Sequence, residues 1–305
     1  MKILLLGGTG FLGSYVRKLL LKNNHDTWLL LKDGQRLEEF QHQGFHVLVG
    51  QAQENGSWID TLPEQIDYII NLIEPELETI RLTVSQAEKN LSPFMLNIAK
   101  NLTYIASKKQ VKRIFQSARI LNYTYNPNVW HSENSSFEKS PTNWGKFYSD
   151  AILYLQNNKQ TPTTLALFGS VIYDTEKTFA KKTIPYLFKN QHPVIGSGEN
   201  WLQLTHVDDA ASALVHLLEI ETVLPVVNIV DDKPITQKDF FNLLAIHEHG
   251  PKPIAIPIFL GKLLFGDIVS NSLSDSCRAK NALLKSTNYW LKFPDYQSGF
   301  GKIPL

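Results

Sequence analysis

Short apolar segments alternate with amphipathic segments through the first half of the chain. The apolar segments predict strands at Lys2–Leu6, Thr27–Lys32, Phe45–Gly50, Ile66–Leu72, Lys112–Ser117 and Thr163–Phe168. The amphipathic segments predict helices at Phe11–Lys22, Arg36–Gln43, Phe94–Lys109 and Asn143–Asn157. Because Leu, Ile and Val occupy both faces of these strands, helices must cover both sides of the sheet. The pattern therefore predicts an α/β fold with a doubly wound parallel sheet.

Beyond Phe168 this alternation loosens, with helical patterns at Thr178–Lys189, Val207–Glu219 and Thr236–Ala245. We predict a dinucleotide-binding domain over residues 1–170, completed by about 204–231, and a smaller C-terminal substrate-binding domain over 171–305. The apolar run Ile254–Val269 contains a proline and two charged residues, so it is too interrupted for a bilayer span of roughly 20 residues. We expect it to form a core or pocket-lining helix.

The composition of the 305 residues is that of an ordinary globular protein. Lys and Arg number 30 against 29 Asp and Glu, which gives no indication of nucleic acid or a membrane surface as the main partner. The single cysteine, Cys277, excludes an internal disulfide and suits a reducing, cytoplasmic location. The histidines lack ligand spacing, so no metal site is predicted. We expect a small-molecule substrate, no integral membrane segment, and either a homodimer or an accessory-subunit role.

A glycine-rich segment, Gly7-Gly8-Thr9-Gly10-Phe11-Leu12-Gly13, joins the first predicted strand to the first predicted helix. Its glycines permit a tight turn and close approach to a pyrophosphate, and Gly13 permits close packing of helix on strand. The pyrophosphate then lies on unpaired N–H groups at the helix N-terminus. A second strand follows about 20 residues later, which is the context that a Rossmann dinucleotide loop requires. The sequence therefore predicts cofactor contacts from Gly7, Thr9, Gly10, Phe11, Leu12 and Gly13.

The end of the second predicted strand bears on which dinucleotide is bound. A cation there suits the 2′-phosphate of NADP, whereas a carboxylate suits the ribose hydroxyl of NAD. If the strand ends at Leu31, Lys32 is the first residue beyond it and favours NADP(H). Asp33, one residue later, is the competing interpretation and would favour NAD.

Several later segments resemble one family in their order and spacing. They are Ile69-Ile70-Asn71-Leu72-Ile73, the helix residue Asn97, Thr205-His206-Val207-Asp208-Asp209-Ala210-Ala211 and Val227–Pro234. With the glycine loop, they resemble the extended short-chain dehydrogenase/reductase superfamily, in its NAD-dependent epimerase/dehydratase group, over nearly the whole chain. The resemblance implies cofactor contacts from Leu72 and Ile73. It also places Gln51 and Ala52 where the family has an adenine-contacting Asp-Leu pair, and glutamine can still hydrogen-bond an adenine edge.

The family transfers a hydride with a Tyr-x-x-x-Lys pair and a nearby Ser or Thr. By resemblance, Trp144 stands at the tyrosine position and Tyr148 at the lysine position. Ala118 stands at the serine position, with Ser117 one residue earlier. An indole N–H cannot exchange a proton near neutral pH, and a phenol brings no positive charge. Tyr148 and Ser117 are the candidate catalytic residues that remain.

Other groups leave alternatives open. The loop residues Tyr123 and Tyr125 could supply a phenol from another direction, or could simply pack. Arg119 could face the substrate or lie on the surface as a solvated charge. Asp208 and Asp209 fall in the first turn of a predicted helix, where carboxylates cap N–H groups, so a structural role is expected for them.

The sequence thus predicts an NADP(H)-binding protein related to the extended short-chain dehydrogenases, with NAD as the alternative cofactor. One hypothesis is an oxidoreductase or epimerase-like enzyme with non-standard acid and base residues. The alternative is a catalytically inactive dinucleotide-binding scaffold, redox sensor or accessory subunit. The intact glycine loop favours the first, and the replacements at positions 118, 144 and 148 favour the second.

Overall fold

The computed structural model describes residues 1–74, 83–123, 126, 128–137, 145–174, 193–247 and 249–300. The strands are β1 (Lys2–Leu6), β2 (Asp26–Leu31), β3 (His46–Val49), β4 (Tyr68–Asn71), β5 (Arg113–Arg119), β6 (Trp130–His131), β7 (Thr163–Phe168), β8 (Val171–Tyr173), β9 (Val194–Ile195), β10 (Trp201–Leu202), β11 (Leu204–His206), β12 (Val226–Ile229), β13 (Ile235–Thr236), β14 (Ala255–Ile256) and β15 (Arg278–Ala279). The helices are α1 (Phe11–Lys22), α2 (Leu37–His42), α3 (Val84–Lys108), α4 (Lys146–Asn157), α5 (Val207–His216), α6 (Gln237–His247), α7 (Ile258–Phe265), α8 (Asp267–Ser274), α9 (Ala282–Ser286) and α10 (Tyr296–Phe300).

Within the described residues, seven strands form one sheet in the order β3-β2-β1-β4-β5-β7-β12. Every neighbouring pair is parallel, and Leu5 of β1 lies opposite Leu29 of β2 and Ile70 of β4. From β1, the chain first adds β2 and β3 on one side of the sheet. It then returns and adds β4, β5, β7 and β12 on the other side. The crevice at the carboxyl ends of β1 and β4 is therefore the switch point, where doubly wound sheets bind their ligands. The predicted fold class is confirmed.

Helices cover both faces of this sheet, as the apolar strands require. On one face, α3 and α4 enclose a core that includes Leu4, Ile69, Ile114 and Ala118. On the other face, α1 and α5 enclose Leu5, Ile70, Phe115 and Phe168. Because successive strand residues point to opposite faces, the two cores contain alternate residues of the same strands.

Helix α3 begins ten residues earlier than predicted. The Thr83 hydroxyl accepts a hydrogen bond from the Gln86 amide (3.3 Å), and the Gln86 side chain accepts one from the Thr83 amide (3.0 Å). This capping box fixes the helix start. The predicted start at Phe94 was wrong because Pro93 is tolerated inside the helix, at an exposed position. The predicted helix Thr178–Lys189 and residues 143–144 lie outside the described residues.

Residues beyond β7 build a third, smaller core and also complete the main sheet. This core contains Tyr173, Phe240, Phe241 and Leu243 and is bordered by two-stranded pairings such as β8 with β11 and β10 with β13. β12 returns to the main sheet beside β7, whereas β11 does not join it. The predicted boundary between the two domains, at residue 171, stays a prediction.

The apolar run 254–269 does not form one helix, as the prediction of a core or pocket-lining helix required. Gly266, at φ +84°, divides it into α7 and α8. On α7, Phe259 is 73% exposed and Leu263 is 79% exposed, whereas Ile268 of α8 is buried. Across the part of the chain that the structure describes, no helix has the length and apolarity needed to cross a membrane.

The start of α5 holds the C-terminal segment in place. The Asp208 amide donates to Nδ1 of His206 (3.2 Å), so the histidine caps the helix where we expected the acids to do so. Asp209 is buried, and its carboxylate accepts hydrogen bonds from the Lys292 and Phe293 amides at 2.7 and 2.8 Å. The His206 ring lies against the Phe293 ring, with 3.8 Å between their centres. Asp209 thus has a structural role, but its carboxylate holds the C-terminal segment where capping of the helix was expected.

Burial lowers the pKa of His206 to about 4, from an ordinary value of 6.5. Between those two values the unfolded chain binds a proton that the folded chain does not, so stability falls as the pH falls through this window. We expect this one group to cost the wild type about 2 kcal/mol of unfolding free energy between pH 7.5 and pH 5. His206→Asn keeps a capping acceptor and removes the titration, so urea unfolding should show a smaller loss over this interval.

The exposed His42→Asn is the matched control, and it should lose as much stability as the wild type over the same interval. If the wild type and His206→Asn lose the same unfolding free energy between pH 7.5 and pH 5, the pKa of His206 is not lowered by burial as stated.

Candidate functional site

The turn between β1 and α1 lies directly against the end of β4. Gly7 has φ +74°, a conformation that glycine adopts without strain. A Cβ atom at Gly7 would lie 2.7 Å from the carbonyl carbon of Leu72 and 2.8 Å from the amide nitrogen of Ile73. No larger residue fits between these two main chains, so the glycine fixes the width of the crevice at the switch point.

A side chain is excluded at Gly13 by packing within the protein, whereas at Gly10 the surroundings are more open. A Cβ at Gly13 would overlap the Gly7 carbonyl oxygen and lie 2.7 Å from Cα of Gly8, so packing within the protein excludes a side chain. At Gly10 the one contact within 4 Å among the described residues would be the Gly7 oxygen, at 3.3 Å. Beyond that one main-chain oxygen, the described residues therefore leave an open cradle at Gly10. A pyrophosphate fits this cradle, since its oxygens need close approach to main-chain amides.

The N-terminus of α1 at this cradle is uncapped. Among the described residues, no side chain caps the helix at Gly10, and its first turn holds no acid. The first amides of a helix have no partner within the helix and carry the positive end of its dipole. The predicted contacts from Thr9 through Gly13 thus lie around an anion-binding helix end.

Cationic side chains lie around the end of β2. Lys32 is exposed and directly follows Leu31, the last residue of that strand. The guanidinium groups of Arg17 and Arg36 both lie over the Phe40 ring, at 4.4 and 4.5 Å from its centre. The Asp33 carboxylate accepts a hydrogen bond from the Gln35 amide (3.0 Å) and so stabilises its own turn.

The loop after β3 is fastened to helix α3 by Asn101. The Asn101 amide group donates to the carbonyl oxygens of Ala52 (2.8 Å) and Glu54 (2.9 Å), and its side chain is buried. This holds Gln51 and Ala52, the predicted adenine contacts, beside the sheet. Sequence reasoning missed Asn101 and selected Asn97, which is exposed. The signal was present one helical turn later, in the Asn-Leu pair at residues 101–102.

The two candidate catalytic residues are not brought together. Tyr148 is buried on the face of α3 and α4, in the same core as Ala118. Ser117 precedes Ala118 on β5, so its side chain points to the opposite face, that of Phe115. Both hydroxyl groups are buried without a hydrogen-bond partner in the described part of the chain. Trp144 lies outside the described residues.

Burial raises the pKa of Tyr148 well above its ordinary value of 10, the nearby Glu74 raises it further, and Arg119 lowers it. Tyr123 is buried in the core as well. Its hydroxyl donates to the side-chain oxygen of Asn228 (2.8 Å), and burial raises its pKa. Both phenols therefore keep their protons at neutral pH. Tyr125, the other loop phenol, lies outside the described residues.

An ion pair occupies the edge where the family's hydroxyl group was expected. Nε and Nη2 of Arg119 donate to the two carboxylate oxygens of Glu74, each at 2.8 Å, and Nη1 donates to the Gly169 carbonyl (3.2 Å). The pair joins residues at the carboxyl ends of β4, β5 and β7. The Arg119 side chain is 12% exposed and that of Glu74 is 35% exposed. Arg119 is thus not a solvated surface charge.

A separate cleft of about 290 Å³ lies in the C-terminal part of the chain. Its walls include Trp130, Trp201, Arg278 and Tyr296, and the Arg278 guanidinium lies 5.4 and 5.3 Å from the centres of the two indoles. These residues belong to β6, β10, β15 and α10, not to the β1–α1 turn. In the described residues, no group of His, Cys, Asp or Glu side chains is arranged to hold a metal ion.

Substitution of Gly10 should impair ligand binding, whereas substitution of Gly13 should impair stability. Gly10→Asp adds a good N-cap at the cost of one tight contact, 3.3 Å from its Cβ to the Gly7 oxygen, so its melting temperature should stay near that of the wild type. Its carboxylate repels phosphates and should abolish the melting shift caused by NADPH. Gly13→Ala forces a Cβ against main-chain atoms and should lower the unfolding free energy by about 1–3 kcal/mol. A wild-type NADPH shift in Gly10→Asp would show that the cradle is not the phosphate site.

Comparisons with known proteins agree with this geometry. The family model for the NAD dependent epimerase/dehydratase family matches residues 3–229. "Epimerase family protein SSP1921" of Staphylococcus saprophyticus is 24% identical over 308 aligned residues, covering 96% of this chain and 95% of that protein. "Epimerase family protein YfhF" of Bacillus subtilis is 24% identical over 273 residues, covering 87% of this chain and 86% of that protein.

Solved structures share the fold. Human epimerase family protein SDR39U1 (isoform 2), solved with NADPH, superposes with a TM-score of 0.76 at 19% identity, covering 98% of each chain. DesIV, a dTDP-glucose 4,6-dehydratase from Streptomyces venezuelae solved with NAD and TYD, superposes with a TM-score of 0.75 at 15% identity, covering 98% of this chain and 94% of that one. The resemblance seen in the sequence is confirmed: this chain belongs to the NAD-dependent epimerase/dehydratase family, within the extended short-chain dehydrogenase/reductase superfamily.

Proposed function

We propose that the protein binds NADP(H) across the crevice between β1 and β4. The observation that carries this proposal is the open glycine cradle at Gly10, facing the uncapped N-terminus of α1. The residues present fit the pyrophosphate, and the loop at Gln51 and Ala52 is held where the family receives adenine. A related fold, the human SDR39U1 protein, was solved with NADPH. These points support a nicotinamide dinucleotide as the ligand.

NADP(H) is proposed over NAD(H) because of the charges that follow β2. Lys32 is exposed at the first position beyond the strand, where a ribose 2′-phosphate is received. Asp33 is engaged in its own turn through the Gln35 amide. Arg36, although paired with Glu39, adds a second cation nearby. This arrangement supports a phosphate better than a free hydroxyl group.

We further propose that the bound dinucleotide is held without the family's tyrosine–lysine proton transfer. Tyr148 stands at the lysine position as a buried, protonated phenol with no partner in the described residues. Ser117 points to the other face of the sheet, and Tyr123 is bonded to Asn228. This supports a dinucleotide-binding scaffold, redox sensor or accessory subunit.

The ion pair of Arg119 and Glu74 favours a second candidate function. In an oxidoreductase or epimerase-like enzyme, the reduced nicotinamide supplies a hydride to a carbonyl carbon. The Arg119 guanidinium could then donate to the oxygen that gains negative charge, which is a strong form of catalytic stabilisation. Water would supply the proton that the buried phenols hold back.

Lys32→Ala tests the cofactor preference. Losing one charge-assisted contact to a phosphate should weaken NADPH binding by about 10- to 100-fold and leave NADH binding unchanged. Isothermal titration calorimetry at fixed ionic strength measures both. Lys22→Ala removes an exposed lysine at the other end of α1 and should leave both affinities at wild-type values. A wild type that prefers NADH would refute the proposal.

Turnover separates the two candidate functions. With NADPH bound and a panel of carbonyl compounds present, a scaffold, redox sensor or accessory subunit predicts that the absorbance of the reduced nicotinamide stays constant. Tyr148→Phe removes an unpartnered buried hydroxyl, so unfolding free energy should stay level or rise by about 1 kcal/mol. If the wild type consumes NADPH and Tyr148→Phe abolishes this consumption, the scaffold, sensor or accessory role is wrong. Consumption at saturating NADPH that survives Tyr148→Phe, and whose kcat falls at least about tenfold in Arg119→Lys, would support the enzyme.

A further inference from the structure

We propose that the Glu74 carboxylate, held by Arg119, binds the two adjacent hydroxyl groups of the nicotinamide ribose. This assignment rests on the proposed binding of NADP(H) and names a contact at its second ribose. In this chain, an acceptor would thereby replace the lysine ammonium that the family places at position 148.

The position of Glu74 follows from the glycine turn. Gly7 lies against Leu72 and Ile73, and Glu74 is the next residue along the chain. A pyrophosphate on α1 has its adenosine half toward β2 and β3, since Lys32 and the Gln51 loop lie there. The nicotinamide half must then extend across the switch point toward β4 and β5. Glu74 and Arg119 lie just there, at the carboxyl ends of these two strands.

The donor and acceptor arrangement suits a diol. An ionised carboxylate has about four acceptor sites on its two oxygens, and Arg119 uses one on each oxygen. Arg119 is the one hydrogen-bond partner of Glu74 in the described part of the chain. The remaining sites match two neighbouring hydroxyl groups, each of which donates one hydrogen bond. Glu74 is also the more exposed partner of the pair, at 35% against 12%, so a ligand can reach its carboxylate.

Arg119 has a positioning role in this arrangement. A lone carboxylate near a pyrophosphate would repel it, and the bidentate guanidinium offsets that charge. The Gly169 carbonyl holds the guanidinium from the side of β7. The carboxylate is therefore oriented before the ligand arrives, which lowers the entropy lost on binding.

The replacement also explains why position 148 tolerates a tyrosine. The Tyr148 hydroxyl is buried and cannot present a positive charge to a ribose. With the diol held from the end of β4, no lysine is required on α4. The direction of the hydrogen bond is then reversed, because the protein accepts from the ribose hydroxyl groups instead of donating to them.

Two ligands and matched variants test the assignment by calorimetry. NADP⁺ contains the nicotinamide ribose, whereas 2′,5′-ADP contains only the adenosine half with its 2′-phosphate. Glu74→Ala should weaken NADP⁺ binding by about 10- to 100-fold and leave 2′,5′-ADP binding unchanged. Arg119→Ala should give the same selective loss, with partial recovery in Arg119→Lys. Glu64→Ala, an exposed carboxylate ahead of β4, should leave both affinities unchanged.

Each result decides something different. If the wild type binds neither ligand, the proposed function fails and this assignment fails with it. If the wild type binds both ligands and Glu74→Ala binds NADP⁺ normally, the ribose assignment alone is wrong. If Glu74→Ala weakens both ligands equally, the effect lies in the fold of the crevice and the assignment is again wrong. Only a loss confined to NADP⁺, with an unchanged melting temperature, supports it.

Discussion

The close contact of three main-chain segments determines this structure and its site. The β1–α1 turn lies against the end of β4 at Gly7 and against its own helix at Gly13, and neither contact has room for a Cβ atom. These contacts fix the start of α1 at the carboxyl edge of the sheet, beside the switch point. The anion-binding helix end, the cations after β2 and the ion pair after β4 all take their positions from it. A side chain at either glycine would displace the whole crevice, not one contact.

The residues proposed to bind the dinucleotide and the positions where the family has its proton-transfer residues lie on different parts of the chain. The glycine cradle and the cation after β2 belong to the first 33 residues, whereas Ala118 lies on β5 and Tyr148 on α4. By resemblance, the glycine loop keeps the family pattern, whereas positions 118, 144 and 148 carry other residues than the family's. The buried phenol of Tyr148, which keeps its proton, lies near the ion pair of Arg119 and Glu74 at the ends of two strands. Substitutions in one set therefore need not disturb the other.

Local patterns predicted what depends on local physics. The alternating apolar strands gave the parallel sheet, and the glycine spacing gave the turn and the helix behind it. The pair of Glu74 and Arg119 could not be predicted, because the partners are 45 residues apart and no periodicity joins them. Asn101 was missed because sequence alone does not show which helical turn faces the β3 loop. The exposed face of α7 was missed for a related reason, since hydrophobicity indicates a buried surface only when a neighbour covers it.

The place of β12 in the sheet has a consequence for synthesis on the ribosome. The edge of β7 stays unpaired until residues 226–229 emerge, and Asp209 gains its amide partners only when residues 292–293 follow. An open strand edge invites pairing with other chains. The nascent protein thus carries a vulnerable edge while the residues between β7 and β12 are translated, and a chaperone that shields β7 would protect this interval.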